Sequence, residues 1–431
     1  MNDWWKIKKE TLVFLLVVFP FFSDQFQGFL TLQLKIASPF SVLIKTGMII
    51  FMTGYLIYYN KVIKLFLFLF LFFILLISLL TNTQNLQYFI KDFSYIMKLV
   101  YFPLSFFFFL TVWENKHLKD QTFYLINKFL FIMLSLALAA SIVGIGMSQY
   151  GVNASGVSLG YSGYFNAGNE LGPLALIFYT SVLFHQLKNH FKFKVIFITF
   201  IVGFFICLLI ATKVTLLGII LVTLITPFVM GFNKNLITIK KYSLKYYSLI
   251  LLGGTIAGTL IALIFWDMIL AVYGRMAYYF SKSTDIGQFL ATGRDIKAAE
   301  GMKVFREDYS LLQQLFGGGY GYYQRQIASQ LSGREFESIE VDFYDTLLSN
   351  GIIGLMIVFA FWLTPLILLT RKALVTKDTD SSLGILLLVL ILGVSFTGGH
   401  MFASSLVGFY LAFVISFTLF KPKAHEQDLN I

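Results

Sequence analysis

The feature that most constrains this chain is the repetition of long apolar runs separated by short segments that carry lysine. Each run is about 18 to 25 residues long, the length that crosses a bilayer as a helix. Of the 431 residues, 58% are hydrophobic and 13% are charged, with a mean hydropathy of +0.78. A water-soluble fold needs roughly a quarter of its residues charged to cover its surface. The sequence therefore predicts an all-α, polytopic integral membrane protein.

The apolar runs predict about twelve transmembrane helices. They fall at about 11–30, 39–59, 62–80, 93–113, 122–147, 170–187, 195–212, 214–231, 246–269, 346–369, 382–399 and 402–420. The first run follows a lysine-rich start but ends without a small-residue cleavage site, so we interpret it as an uncleaved first span.

The cations show which side of the membrane each connection occupies. The net charge is +11. If the N-terminus is cytoplasmic, about nineteen Lys and Arg fall in inside segments and about five near the short outside segments, as the positive-inside rule expects. Both termini of this multi-pass protein are therefore predicted to be cytoplasmic. The single cysteine, Cys207, excludes a disulfide framework and a Cys-based metal site.

This topology divides the chain into three parts. Residues 1–269 hold helices 1–9 with a smaller outer loop near 148–169, residues 270–345 form a large extracytoplasmic loop, and residues 346–431 hold helices 10–12 and a short cytoplasmic tail. Apolar residues recur at near-helical spacing from Asp295 to Gln314, which predicts one amphipathic helix. The glycines of Gly317–Gly321 predict a sharp break after it.

Lys213 is a lone cation at the junction of two predicted spans, directly after Thr212. An ionisable group at a membrane boundary is costly unless it is paired or faces water, which favours a functional role. The alternative is a lysine that snorkels to the interface.

A second group of cations lies in the large loop. Arg294 follows Thr292 and Gly293, Lys297 is one helical turn further on, and Arg275 precedes them. The planar fork of arginine suits phosphate, so this group could bind a pyrophosphate. The alternative is an ordinary solvated face, because acidic residues are close enough for weak surface ion pairs.

Three carboxylates, Glu340, Asp342 and Asp345, precede the tenth predicted span. Asp342 and Asp345 share a face if a helix has begun there. Carboxylates this close can raise one another's pKa and produce a general base. Acidic residues are also common at helix N-termini simply as caps, and that alternative remains open.

In this order and topology, these motifs resemble the O-antigen polymerase/O-antigen ligase superfamily of bacterial envelope glycosyltransferases. The matching stretches are Gly163–Leu171, Thr212-Lys213, Thr292-Gly293-Arg294, Gly317–Gly321, and Glu340-x-Asp342-x-x-Asp345 with the following Gly351 and Gly354. The similarity covers about residues 150–360.

The resemblance implies a GT-C-like fold and an inverting, metal-independent glycosyltransferase that needs no cofactor. Its donor would be an oligosaccharide linked to undecaprenyl pyrophosphate, and its acceptor a sugar hydroxyl outside the membrane. The pyrophosphate would be held by Lys213 and Arg294, with Arg275 as a third cation, because fixed cations in a low-dielectric site stabilise a departing anion. Glu340, Asp342 or Asp345 would be the base.

The sequence departs from the family pattern in two places. Lys213 stands where the family usually has arginine, and the end of the loop lacks the histidine that ligase-type members carry. These departures favour a polymerase of capsule, exopolysaccharide or teichuronic-acid-like polymers. In the bacterial cytoplasmic membrane its partners would be lipid-linked repeat units, a chain-length regulator and a flippase. The alternatives are ligation of glycan to a wall, lipid or protein acceptor, transport of lipid-linked glycan, and a non-catalytic scaffold.

Overall fold

The computed structural model describes most of the chain as helix. It covers residues 9–36, 38–80, 86–116, 120–148, 160–165, 168–189, 193–231, isolated positions between 248 and 281, 293–331 and 335–420. Within these ranges the only strands are the two of a short antiparallel pair. The part of the chain that the structure describes therefore has the predicted all-α, polytopic character.

The first half of the chain contributes nine helices to the described residues. Their bounds are α1 Lys9–Leu32, α2 Phe40–Tyr58, α3 Val62–Leu80, α4 Leu86–Leu99, α5 Tyr101–Lys116, α6 Asp120–Ile142, α7 Gly168–Asn189, α8 Phe193–Ile210 and α9 Lys213–Gly231. The strands β1 Met147–Ser148 and β2 Tyr161–Gly163 pair between α6 and α7. They form the base of the smaller loop, whose residues 149–159 lie outside the described ranges.

The second half holds a group of shorter helices and then three long ones. The helices are α10 Arg294–Lys303, α11 Leu311–Phe316, α12 Tyr320–Leu331, α13 Asp342–Thr376, α14 Thr379–Thr397 and α15 Ser405–Phe420, with a π-helical turn at Val304–Asp308 between α10 and α11. Helices α10, α11 and α12 belong to the predicted large loop. We call the end of the bundle on which they lie the loop end.

Six candidate membrane spans are found among the described residues, and further apolar helices are shorter. The six are Glu10–Leu32, Phe40–Tyr58, Leu86–Glu114, Asp120–Ile142, Asp342–Thr376 and Thr379–Thr397. The prediction of twelve spans stays a prediction, and its ninth run, 246–269, falls largely outside the described residues. The fourth run, predicted at 93–113, begins earlier, at Leu86, and α4 gives way to α5 at Val100.

The last helix, α15, is the centre of the bundle. Every residue from Ser405 to Thr418 is buried, which is typical of a helix that is apolar on all sides. It packs along α5, where the rings of Phe109 and Phe409 are 5.1 Å apart and the indole of Trp113 donates a hydrogen bond of 3.1 Å to Ser416. The final apolar run is therefore an internal support for the helices around it.

Ion pairs connect neighbouring helices at the end of the bundle opposite the loop helices. Lys61 and Lys64 both contact Glu114, at 3.0 and 2.9 Å. Lys188 pairs with Asp380, and Lys372 lies 3.2 Å from Asp378. These contacts join α3 to α5, α7 to α14, and α13 to the start of α14.

The predicted helix from Asp295 to Gln314 is two helices and not one. Helix α10 ends at Lys303 and passes into the π turn, after which Tyr309 is extended, with φ −82° and ψ 129°. Ser310 then starts α11 with a capping box, because its hydroxyl accepts from the Gln313 N–H and Gln313 returns a side-chain contact. A strong helix start inside the periodic stretch therefore divides it.

The glycine-rich break after α11 allows two backbones to cross. Gly317 has φ +95°, and a Cβ on it would lie 2.0 Å from the Ser349 carbonyl oxygen. Gly351 has φ +68° and marks a kink in α13, and a Cβ there would lie 2.4 Å from the Leu315 carbonyl. The Gly318 N–H also donates to the Leu348 carbonyl at 3.0 Å. The loop is therefore fastened to α13 one turn beyond Asp345.

Candidate functional site

The first part of the site is the start of α10. Gly293 precedes it with φ 80°, and Arg294 is its first residue. The Arg294 guanidinium lies 3.0 Å from Glu340 and also donates to the Thr397 carbonyl at 3.3 Å. The cation predicted from the sequence is therefore paired with one of the predicted carboxylates, which comes from a distant part of the chain.

Lys297 extends the same contact by one helical turn. Its ammonium lies 2.6 Å from Glu337 and donates to the Ser338 carbonyl at 3.2 Å. Helix α10 is thus fastened along residues 337–340, the segment that leads into α13. Ion pairing of these two cations joins separate segments of the chain, unlike the local surface pairs that the solvated-face interpretation required.

Asp345 is buried and holds the backbone that carries Glu340. Its Oδ1 accepts a hydrogen bond of 2.5 Å from the Tyr323 hydroxyl and one of 3.2 Å from the Ile339 N–H. Burial and the nearby Asp345 charge raise the pKa of Tyr323 far above its ordinary value, so Tyr323 is the proton donor of this pair. Asp345 therefore fixes helix α12 and the segment before α13 together.

Asp342 holds a different segment, the turn between α14 and α15. Its Oδ2 accepts a hydrogen bond of 2.7 Å from the Met401 N–H, and it is also bonded by the backbone of His400 and Phe402. Both aspartates are at most 2% exposed. Neither aspartate caps α13 itself, because its N-cap position Val341 shows no side-chain cap hydrogen bond. Asp342 instead binds the backbone of a distant turn, and Asp345 binds the Tyr323 hydroxyl and the Ile339 N–H.

Glu340 is the most accessible of the three carboxylates, with 34% of its side chain exposed. Its φ of +64° is unusual for a residue with a side chain, and His400 has a similar φ of +63°. Gly399 makes this arrangement possible, because a Cβ there would lie 2.1 Å from the Glu340 carbonyl oxygen. Such backbone conformations persist where the surrounding contacts impose them and are frequent at functional sites.

His400 lies within electrostatic reach of both Glu340 and Arg294. Burial lowers the pKa of His400 from its ordinary 6.5, Glu340 acts in the opposite direction, and the cations Arg294, Lys98 and Lys297 lower it further. The imidazole is therefore neutral at neutral pH and able to accept a proton or a hydrogen bond.

Helix α4 supports this cluster from the side. The ring of Tyr95 stacks on Tyr320 at 4.0 Å, and its hydroxyl lies 3.2 Å from the Thr346 hydroxyl. Asp92 accepts a hydrogen bond of 2.6 Å from the Gly321 N–H at the start of α12. A carboxylate at a helix N-terminus complements the helix dipole, so α12 is capped by a residue from the candidate span Leu86–Glu114.

The structure brings four of the six predicted site residues together, namely Arg294, Glu340, Asp342 and Asp345. Lys213 begins α9, but its side chain lies outside what the structure describes. Arg275 lies outside the described residues altogether. The role of both residues in pyrophosphate binding stays a prediction.

Sequence reasoning missed His400, Asp92 and Tyr323. His400 follows two glycines between the last two apolar runs, and no other predicted site residue is near it in the sequence. Asp92 and Tyr323 act on residues more than twenty positions away in the chain, so no local spacing could reveal their contacts.

The arrangement can bind an anion and move a proton. Arg294 and Lys297 are fixed cations, Glu340 is an accessible carboxylate, and His400 is a half-buried neutral imidazole beside it. Among the described residues, no group of three His, Cys, Asp or Glu side chains is placed to hold a metal ion.

The comparison with protein families matches this part of the chain. Residues 275–423 fit the family described as O-antigen ligase like membrane protein, and no curated protein matches the chain. The matched region includes all the loop helices and all of α13, α14 and α15. The match confirms the resemblance to the O-antigen polymerase/O-antigen ligase superfamily, and it indicates a membrane protein that acts on lipid-linked glycans.

Proposed function

We propose, for a chain related to the O-antigen polymerases and ligases, that it is a polysaccharide polymerase of the bacterial cytoplasmic membrane. It transfers the glycan of an undecaprenyl-pyrophosphate-linked donor to a sugar hydroxyl of a second lipid-linked repeat unit. The excess of cations in the predicted inside segments supports an orientation in which both termini are cytoplasmic and the loop end faces outward. Repeat units that have crossed the membrane then meet the enzyme at its loop end.

The observation that carries this proposal is the Arg294–Glu340 pair beside His400. An arginine fork binds pyrophosphate oxygens well, and a carboxylate with a neutral imidazole nearby can take the proton of an attacking hydroxyl. In the structure the Arg294 guanidinium forms an ion pair with Glu340 at 3.0 Å. A donor pyrophosphate competes for the same guanidinium and so releases Glu340 to act as the base.

The transfer then follows from these positions. The acceptor hydroxyl oxygen forms a bond to the anomeric carbon of the donor while Glu340 takes its proton. The bond from that carbon to the pyrophosphate oxygen breaks, and the electron pair leaves with undecaprenyl pyrophosphate. Attack opposite the leaving group inverts the anomeric centre. Arg294 stabilises the charge that develops on the pyrophosphate, the kind of electrostatic effect that contributes most in a water-poor site.

Reconstitution in liposomes tests the proposal. Purified protein and undecaprenyl-pyrophosphate-linked repeat units are expected to yield a ladder of longer lipid-linked chains. Glu340→Gln should lower the rate about 10²–10⁴-fold, the usual range for a lost general base. Glu335→Gln, a change of an exposed acid in the same segment, should retain the rate. A ladder of normal rate with Glu340→Gln would remove Glu340 as the base.

Ligation is the second candidate, because the matched family is described as ligase-like. The same cation and base would transfer a finished glycan to a wall, lipid or protein acceptor. The two reactions differ in the acceptor, so the liposome assay separates them. Chains that grow on the carrier indicate a polymerase, and chains that move only to an added acceptor without growing indicate a ligase.

A further inference from the structure

Four charged residues from four different helices approach one another near the loop end of the bundle. They are Asp24 of α1, Lys45 of α2, Lys98 of α4 and Glu170 of α7, and Glu170 interacts electrostatically with the other three. Charged side chains within membrane helices are costly and are usually retained for function. Their convergence is therefore a reason to ask what each of them does.

Three of the four charges have direct partners. The Lys45 ammonium lies 2.8 Å from Asp24, whose carboxylate also accepts from the Ser41 hydroxyl. Glu170 is bonded by the Ser404 hydroxyl. Lys98, in contrast, forms no ion pair or side-chain hydrogen bond within the described part of the chain, and its side chain is exposed. Lys98 is thus the member of this group that is available to an anion.

The position of Lys98 is fixed by contacts one and two turns earlier on α4. Tyr95 stacks on Tyr320, and Asp92 binds the Gly321 N–H. These contacts hold α4 against the loop helix α12. The next turn therefore places the Lys98 ammonium within electrostatic reach of both Glu170 and His400. Lys98 thus interacts electrostatically both with the charges of the spans and with His400 of the Glu340–His400 cluster.

The depth of Lys98 agrees with a head group at the membrane boundary. Helices α4 and α5 form one candidate span that ends at Glu114, the residue paired with Lys61 and Lys64. At about 1.5 Å per helical residue, Lys98 lies roughly 24 Å from Glu114 along this span. The hydrocarbon core is about 30 Å thick, so the Lys98 backbone lies roughly 6 Å below the opposite boundary. A lysine side chain is long enough to bring its ammonium to that boundary.

We propose that Lys98 binds the pyrophosphate of the lipid-linked donor from the membrane side, opposite Arg294. This inference rests on the proposed function. A donor of this class has an apolar tail in the bilayer, two phosphates at its boundary and a glycan outside. Lys98 lies on a predicted span near the membrane boundary, Arg294 lies in the loop, and both act electrostatically on His400. The two phosphates can each bind one cation, the point charge of the Lys98 ammonium and the planar fork of the Arg294 guanidinium.

Direct binding and turnover together test the role of Lys98. In detergent, Lys98→Ala is expected to weaken binding of labelled undecaprenyl pyrophosphate about tenfold or more, the effect of losing one charged contact. In the liposome assay the same variant should raise the KM for the donor more than it lowers kcat. Lys98→Arg, which keeps the charge, should restore most of the affinity.

Lys91→Ala is the matched control. Lys91 is a cation of the same helix whose ammonium lies 3.8 Å from the centre of the Phe336 ring, so the variant also removes a charge and a contact to the loop. It should bind undecaprenyl pyrophosphate like the unaltered protein. Equal binding by Lys98→Ala and the unaltered protein would overturn the proposal.

A phospholipid head group offers the same phosphate chemistry, so a separate competition experiment must distinguish the two sources of the anion. Adding phosphatidylglycerol should not displace labelled undecaprenyl pyrophosphate, whereas unlabelled undecaprenyl pyrophosphate should. Displacement by phosphatidylglycerol that is lost in Lys98→Ala would assign Lys98 to phospholipid and overturn the proposal. If the unaltered protein binds the carrier through Lys98 but makes no polymer, the polymerase function fails while Lys98 binding stands.

Discussion

The three carboxylates that look alike in sequence have different tasks in the fold. Asp345 binds the Tyr323 hydroxyl and Ile339 N–H, and Asp342 binds the turn at Met401. Glu340 is left as the accessible carboxylate, paired with Arg294. Sequence spacing predicted that all three lie near one another. It could not separate their roles, because the groups that occupy the aspartates come from distant segments.

The buried Tyr323–Asp345 hydrogen bond should contribute measurably to stability. Tyr323→Phe and Asp345→Asn are each expected to lower the free energy of unfolding by about 1–3 kcal/mol, since each leaves a buried polar group with a poorer partner. The double variant should lose less than the sum, because both changes remove one interaction. Thermal unfolding in detergent measures this, with Tyr322→Phe as the control. Additive losses would show that the two residues act independently.

Arg294 should be needed for its shape as well as its charge. Arg294→Ala should lower transfer by at least about 10²-fold, and Arg294→Lys should recover only part of it, because an ammonium cannot form the bidentate contact. The exposed Arg306 on the following π turn provides the control Arg306→Ala, which should be active. Normal chain lengths from correctly inserted Arg294→Ala would remove Arg294 from the site.

His400 should make stability depend on pH in a defined direction. Because the pKa of His400 is lowered below 6.5 in the folded protein, the unfolded chain binds the proton more readily. This contribution to stability is complete above pH 6.5 and is lost as the pH falls through the folded-state pKa. The unfolding temperature should therefore fall with acidification below about pH 6.5, and His400→Gln should reduce that fall. His185→Gln serves as the control, and an unchanged pH profile in His400→Gln would contradict the assignment.

At the scale of elements, the apolar runs predicted the helices well because burial in lipid or in the bundle depends on local composition. Ser310 and Gln313 carried a capping signal inside the predicted helix of 295–314, and the new helix does begin there. The docking of α4 on α12 could not be predicted. Asp92 and Gly321 are 229 residues apart, and their contact exists only after the spans have assembled.

The crossing of Gly317 over α13 should be sensitive to a single methyl group. Gly317→Ala would place a Cβ against the Ser349 carbonyl, in a backbone conformation that disfavours side chains. We expect a loss of at least about 2 kcal/mol of stability, or failure to accumulate in the membrane. Gly393→Ala in α14 is the control, because nothing lies within 4 Å of a Cβ there. Equal unfolding temperatures for the two variants would show that the crossing is loose.

At the scale of the whole molecule, the site is assembled from parts that are far apart in sequence. The loop helix α10 supplies Arg294, the start of α13 supplies the carboxylates, and the turn between α14 and α15 supplies His400. Helix α15 is buried at the centre of the bundle, so it fixes the height of that turn. The sequence predicted the loop-end location of the first two parts. The location of His400 could not be predicted, because it depends on how α14 and α15 pack in the bundle.

The central claim is that the chain lengthens a lipid-linked glycan at the outer face of the membrane. Chain-length profiling of surface and carrier-linked glycan in cells without the gene tests it most directly. The account predicts that single repeat units still reach the surface while the ladder of longer chains disappears. Long polymer that accumulates on the carrier and never reaches its final acceptor, or repeat units trapped on the cytoplasmic leaflet, would contradict it.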